Sequence, residues 1–199
     1  VFEDTVAAFE GAQRVSSVLT KSGLRLECDF VVAGIGVEPV VDILDGTGVR
    51  IDNGVVVDQY CQTSVPGIYA AGDVGNHYHP VFEGQIRVGP WHNAVKQGAV
   101  AARNMLGRAV PYDEIQWFWS DQYDANLQYA GFHTKWDQLA VRGRLDSGSF
   151  LAFYINDGRI DAVVGLNRAQ DLRRSIPLIK ARRLVNPEQL RDERIDLRS

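Results

Sequence analysis

Cysteine is scarce in this sequence. Cys28 and Cys61 are the only two, and they form no C-x-x-C pair. A dithiol redox centre and a thiolate zinc site therefore both lack ligands, and the pair is expected as two reduced, buried thiols in a cytosolic protein. No apolar run is long enough to span a bilayer and no charged-then-apolar leader opens the chain, so no membrane partner is expected. A basic excess is missing too. Net charge is −4; residues 1–107 hold 7 Lys and Arg against 12 Asp and Glu, and residues 108–199 hold 14 against 13. That excludes a nucleic-acid footprint. The phosphate-cradling G-x-G-x-x-G turn is absent as well: the nearest stretch, Gly34-Ile35-Gly36-Val37-Glu38-Pro39, has proline at the third glycine and opens no helix. His77 and His79 have H-x-H spacing, but no acid or cysteine stands at ligand spacing, so "GNHYHP" is read as a polar loop and no metal is expected. There is no internal repeat and no low-complexity segment.

What remains is ordinary globular composition, 45% apolar and 23% charged over 199 residues. "RVSSVLTKSGLRLECDFVVAGIG" (14–36) alternates, turns at Ser22-Gly23, alternates again and ends in an apolar run, the pattern of a hairpin feeding a buried strand. "GVRIDNGVVVD" (48–58) reads as a strand pair about Asn53-Gly54. A helix is expected over 90–107, with Pro90 near its first turn and Gly107 beyond its last. "GRAVPYDE" (107–114) reads as a polar linker. Beyond it lie short alternating strands, a hairpin at Asn156-Asp157-Gly158, and a helical segment over 168–184 that Pro177 either kinks or restarts. The fold class expected is α/β followed by α+β.

One stretch carries chemistry. In "TSVPGIYAAGDV" (63–74) an apolar strand is expected to run into Gly72 and Asp73. Ligands of open α/β sheets sit past the carboxyl ends of strands. Gly72 permits close approach, and Asp73 places an acceptor-only carboxylate there, suited to a ligand hydroxyl. The same Asp also suits a plain turn cap. The helix beginning at Pro90-Trp91 offers free N–H groups and the positive end of a dipole. Its Ala94, Gly98, Ala99, Ala101 and Ala102 suit close packing against a sheet or a flat ligand.

These residues carry a resemblance. "TSVPGIYAAGDV" is similar to the second FAD signature of the pyridine-nucleotide-dependent flavoprotein reductases. "VVAGIGVEP" resembles the strand and turn that return the chain from the NAD domain to the FAD domain. "IRVGPWHNAVKQGAVAARNML" looks like the last FAD-domain helix, and "WFWSDQYDANLQYAG" is similar to the opening of the C-terminal domain in oxygenase-coupled ferredoxin reductases. The resemblance implies the end of an NAD-binding domain over 1–36, the C-terminal part of an FAD-binding domain of three-layer type over 37–107, and a reductase-type α+β domain with an antiparallel sheet over 108–199. It implies that Asp73 accepts a ribityl hydroxyl of FAD and that Gly72 lets the cofactor lie close. Amides near Trp91, His92 and Ala94 would face the flavin pyrimidine edge, where the helix dipole is worth about 0.3–1 kcal/mol. Trp119 would sit near the isoalloxazine and the docking face of an iron–sulfur ferredoxin, or else serve as a core aromatic. Gly34 and Gly36 would flank the nicotinamide of NAD(P)H. No side chain is expected to act as a catalyst, because the flavin carries the chemistry. The arginines Arg173, Arg174, Arg182 and Arg183 read as solvated helix charges able to steer an acidic ferredoxin.

Two departures qualify this. Relatives often carry an acid just before the helix tryptophan, where this chain has Val88-Gly89-Pro90-Trp91. Both dinucleotide fingerprints are missing, and the opening "VFEDTVAAFEG" resembles a domain interior. The expectation is the C-terminal half of an NADH-dependent ferredoxin reductase, cytoplasmic, binding neither dinucleotide well alone. A dithiol reductase and a non-catalytic flavoprotein like apoptosis-inducing factor are the alternatives. The preference for NADH or NADPH, the oxygenase served and the oligomeric state stay open.

Overall fold

The hairpin expected about Ser22-Gly23 is present. In the computed structural model, which describes residues 1–197, the chain divides into two compact units, Val1–Val37 and Glu38–Ser199. In the first, β1 (Val6–Glu10), β2 (Ser17–Thr20) and β3 (Arg25–Glu27) pair antiparallel in chain order. The turn between β2 and β3 closes where the Gly23 amide, at φ +90°, donates to the Thr20 carbonyl at 3.0 Å. The run 30–36, expected as a buried strand, is not a strand. It pairs with nothing among the described residues, and Phe30, Val32 and Ile35 are 76%, 84% and 94% exposed. An apolar run becomes a buried strand only when neighbours satisfy its backbone and cover both faces.

The second unit starts with β4 (Val55–Val57), β5 (Gly75–His79) and β6 (Gly84–Arg87), in the order β4-β5-β6, the first pair parallel and the second antiparallel. The Asn53-Gly54 turn exists, at φ +47° and +112°, but only its second arm becomes a strand, because Ile51 makes a single bridge to Val55. The strand expected at "GIYAA" (67–71) is also absent: Tyr69 bridges Gln62 and nothing else among the described residues extends the ladder. The "GNHYHP" stretch corrects the reading in the other direction. It forms most of β5, and His77 and His79 are fully buried. Alternation places both imidazoles on the covered face, which their polarity hid in the sequence.

α1 (Trp91–Met105) follows as expected, with Pro90 at its N-cap. Its buried stripe is Asn93, Gln97, Val100, Ala101 and Asn104. Ala99 and Ala102 face water instead. The residues after α1 are anchored and do not form a free linker. Asn104 Nδ2 donates to the carbonyls of Tyr60 and Val110, each at 2.8 Å, and the Tyr112 side chain is 1% exposed. Cys61 packs here with Val100, Ala101 and Tyr112. Its thiol is pushed up to about 12 by burial and then by Asp58. Cys28 is only half-buried, which corrects the expectation of two buried thiols.

The rest is an antiparallel sheet of β7 (Trp117–Gln122), β8 (Ala125–Gly131), β9 (Gln138–Arg144), β10 (Ser149–Asn156) and β11 (Arg159–Leu166), ordered β7-β8-β11-β10-β9. The β10–β11 hairpin turns through Asp157 and Gly158 at φ +48° and +71°, the paired left-handed residues that a two-residue loop demands. Alternation sends Leu151, Phe153, Ile155 and Val163 to one face, where α2 (Ala169–Ala181) adds Leu172 and Ile179. Burial of each such side chain is worth about 1.5–3 kcal/mol. Pro177 lies inside α2 and does not restart it; the helix ends at Arg182, which is left-handed at φ +51°. α3 (Pro187–Arg191), capped by the Asn186 side chain, adds Leu190 to the same core. No helix among the described residues is long and apolar enough to cross a membrane.

Candidate functional site

The turn after residue 71 is laid against the first turn of α1. Gly72 has φ +81°, and a Cβ on it would stand 3.3 Å from the Ala94 Cβ, so backbone conformation and space both call for glycine. Its amide donates to Gln97 Oε1 at 2.7 Å, and its carbonyl accepts from the Gly75 amide at 2.9 Å. The next residue, Asp73, is exposed. Its main-chain carbonyl accepts from Arg87 Nη1 at 3.2 Å, while its carboxylate makes no hydrogen bond among the described residues. One carboxylate oxygen lies 3.9 Å from where a Gly89 Cβ would be, over the segment that leads into α1.

At the start of α1 the Asn93 and Ala94 amides turn back to the Pro90 carbonyl at 2.9 and 3.4 Å. Those of Trp91 and His92 have no partner among the described residues, as the first turn of a helix requires unless a cap or ligand intervenes. Of the three amides expected to face a ligand, that of Ala94 is thus already engaged.

Beside these amides lies a cavity of about 310 Å³ lined by Pro90, Trp91, His92, Trp117, Phe118 and Trp119. The His92 ring meets Trp117 edge-on at 6.1 Å, and Trp117 stacks on Trp119 at 5.1 Å. Period-two geometry puts Trp117 and Trp119 on one face of β7. Arg173 of α2 places its guanidinium carbon 5.5 Å from the Trp117 ring centroid. Asp73 is not among the lining residues. Gly34 and Gly36 belong to the first unit, in a segment without regular secondary structure where an added Cβ on either would meet no atom within 4 Å.

The sequence reading passed over Trp117, Asn93, Gln97 and Tyr112. Tyr112 Oη donates to Asn93 Oδ1 at 2.8 Å, and Asn93 Nδ2 donates to the Val88 carbonyl at 2.9 Å. Carboxamides at 93, 97 and 104 recur at helical spacing, and that regularity was the available signal. The arginines are engaged more than expected: Arg174 pairs with Asp171 at 3.1 Å, and Arg182 with Asp161 at 2.5 Å.

No group of His, Cys, Asp and Glu among the described residues is arranged to hold a metal ion. The His79 Nε2 donates to the Glu114 carbonyl at 3.0 Å, and its Nδ1 accepts the Val81 amide at 3.2 Å. Neither ring nitrogen of His77 makes a hydrogen bond of normal geometry among the described residues. Burial and then the neighbouring His79 bring its pKa down to about 4.

Comparison with known proteins covers both parts of the chain. Residues 1–98 match the pyridine nucleotide-disulphide oxidoreductase family, and residues 117–199 match the family described as reductase C-terminal. The ferredoxin–NAD(+) reductase component of the anthranilate 1,2-dioxygenase system of Burkholderia cepacia is 39% identical, the match covering 87% of this chain and 43% of that protein. Putidaredoxin reductase of Pseudomonas putida is 36% identical over 94% of this chain and 44% of its own. The crystal structure of the covalent putidaredoxin reductase–putidaredoxin complex superposes with a TM-score of 0.90 at 35% identity, covering 98% of this chain and 47% of that one. The chain spans less than half the length of these curated relatives. With a mixed fold that superposes on putidaredoxin reductase and both family matches falling in order along it, the chain belongs to the pyridine nucleotide-disulphide oxidoreductases that carry a reductase C-terminal domain.

Proposed function

We propose that this chain supplies part of the flavin site and the C-terminal domain of an NAD(P)H-dependent, FAD-containing ferredoxin reductase, which passes electrons from NADH to a [2Fe–2S] ferredoxin of an oxygenase system. The observation that carries this reading is the pairing of an unengaged carboxylate at Asp73 with the unpartnered amides of Trp91 and His92, on two segments packed together through Gly72 and Ala94. FAD fits these groups: a polyol hydroxyl suits an acceptor-only carboxylate, and electron-rich ring atoms suit a helix N-terminus. When bound, FAD supplies hydride acceptance from the nicotinamide and single-electron delivery to the iron–sulfur centre. The chain's own residues orient and shield. Asp73 holds the polyol, the Trp91 and His92 amides favour negative charge on the ring, and the stacked Trp117 and Trp119 keep water from one side. No acid stands in the first turn of α1, so this helix start adds no carboxylate of its own and its dipole acts without opposition.

The names of the relatives support a ferredoxin as electron acceptor over a disulfide. The chain's two thiols lie far apart in sequence, with Cys61 buried, which gives a dithiol reductase no support here. The experiment uses the polypeptide encoded by the complete reading frame. The purified protein is expected to carry FAD, oxidise NADH, and reduce cytochrome c only when a [2Fe–2S] ferredoxin is added. Asp73→Ala should weaken FAD binding about tenfold or more, the loss of a hydrogen bond to a charged group, without lowering stability. A protein free of flavin, or one whose NADH oxidation is indifferent to ferredoxin, would refute the reading; bound flavin with no NADH oxidation would favour a non-catalytic relative of apoptosis-inducing factor.

A further inference from the structure

We infer that Gln97 is the positioning residue of the flavin-binding turn, its buried carboxamide setting Gly72-Asp73 in register with the first turn of α1. This rests on the flavin reading above. The Gln97 side chain is fully buried. Its Oε1 accepts the Gly72 amide at 2.7 Å and lies 3.5 Å from Asn93 Nδ2. The direction of this amide is dictated by chemistry: both neighbours are donors, so only an acceptor can face them. The consequence is a cost, because Gln97 Nε2 is left buried with no hydrogen-bond partner among the described residues. A donor stranded in this way is normally avoided, and it persists where the same group does something else. Here the other group is an amide on a left-handed glycine immediately before Asp73. The remaining links confirm that the arrangement is shared. Asn93 Nδ2 ties the Val88 carbonyl, two residues ahead of Pro90, and Tyr112 Oη holds Asn93 Oδ1. One connected set of carboxamides therefore fixes the acid-bearing turn and the entry to α1 to each other. Without Gln97 the turn keeps its glycine but loses its registration.

The test uses apoprotein of the complete reading frame, titrated with FAD and followed by quenching of flavin fluorescence, beside thermal unfolding without FAD. Gln97→Met, similar in length but with no acceptor for Gly72, is expected to raise the FAD Kd about tenfold or more, the usual consequence of stranding one buried hydrogen-bonding group. Gln97→Glu keeps an oxygen for the Gly72 amide and should stay within about threefold of the unaltered protein. Val100→Ala, on the buried stripe of the same helix, reports what destabilisation alone does; it should lower the melting temperature and leave the Kd unchanged. If Gln97→Met does not fold, Gln97→Asn withdraws the amide from Gly72 while keeping its chemistry, and the same increase is expected. The inference is overturned if Gln97→Met or Gln97→Asn binds FAD as tightly as the unaltered protein, or if Val100→Ala weakens binding as much. Failure of the unaltered protein to bind FAD overturns the flavin reading itself, a separate outcome.

Discussion

Tyr112 Oη donates a 2.8 Å hydrogen bond to Asn93 Oδ1, and both residues are buried. The tyrosine comes from the segment after α1 and the asparagine from its first turn, so the bond folds the chain back onto the candidate site. Burial and then Glu114 raise the Tyr112 phenol, which stays protonated and able to donate across the accessible pH range.

Tyr112→Phe removes only the donor and strands Asn93 Oδ1. The expected loss is about 1–3 kcal/mol of unfolding free energy, read from urea denaturation. A variant as stable as the parent would show that Asn93 finds another donor and that this bond does not hold the segment.

Arg142 is buried, and its guanidinium donates to the carbonyls of Asp192 at 2.8 Å, Glu193 at 3.2 Å and Ile195 at 2.7 Å, as well as to Leu190. One cation thus gathers the chain beyond α3 onto β9. Arg142→Met should release that tail at a cost of about 2–4 kcal/mol, with new protease cleavage after residue 186. Arg142→Lys offers three donors on a different geometry and should restore only part. An unchanged digestion pattern would remove the clamp from consideration.

The buried histidines make stability depend on pH. The folded-state pKa of His77 is about 4 against 6.5 in the unfolded chain, and burial lowers His79 in the same direction. Their neutral forms are the ones the fold accepts. Stability is therefore complete above about pH 6.5 and falls as pH drops toward 4, where His77 alone accounts for a loss of about 3 kcal/mol. His77→Phe should flatten that part of the profile. Equal slopes for parent and variant between pH 6.5 and 4 would count against the assignment.

Arg173 leans over Trp117, at the edge of the aromatic cavity, while its neighbour Arg174 is occupied by Asp171. An acidic ferredoxin docking near this cavity would meet Arg173 first. Under the proposed function, Arg173→Ala in the complete protein should slow ferredoxin reduction several-fold at low ionic strength, and the difference should shrink toward 0.5 M salt as screening shortens to a few ångströms. A rate equal to the parent at low salt would place docking elsewhere.

Local rules were enough for several elements. The Ser22-Gly23 and Asp157-Gly158 turns, the alternating strands from 125 onward and the amphipathic α1 are all written in nearest-neighbour chemistry, and each forms where its pattern says. Three stretches were not legible in this way. The apolar run 30–36 reads as buried yet lies exposed, and 67–71 reads as a strand yet makes one bridge, because a strand is defined by its neighbours. "GNHYHP" reads as a loop because histidine and asparagine are polar, but β4, β6 and Tyr112 enclose it.

Within the candidate site the division is similar. The turn at Gly72 and the start of a helix at Trp91 follow from residue types and spacing, since backbone freedom and helix ends are local properties, whereas the roles expected of Asp73 and Trp119 rest on the family resemblance. That Gln97 meets Gly72 across 25 residues, that Trp117 and not only Trp119 shares the cavity with His92, and that Tyr112 reaches back to Asn93 were decided by tertiary packing. Burial and hydrogen-bond partnership depend on which surfaces meet, and no window of sequence contains that information.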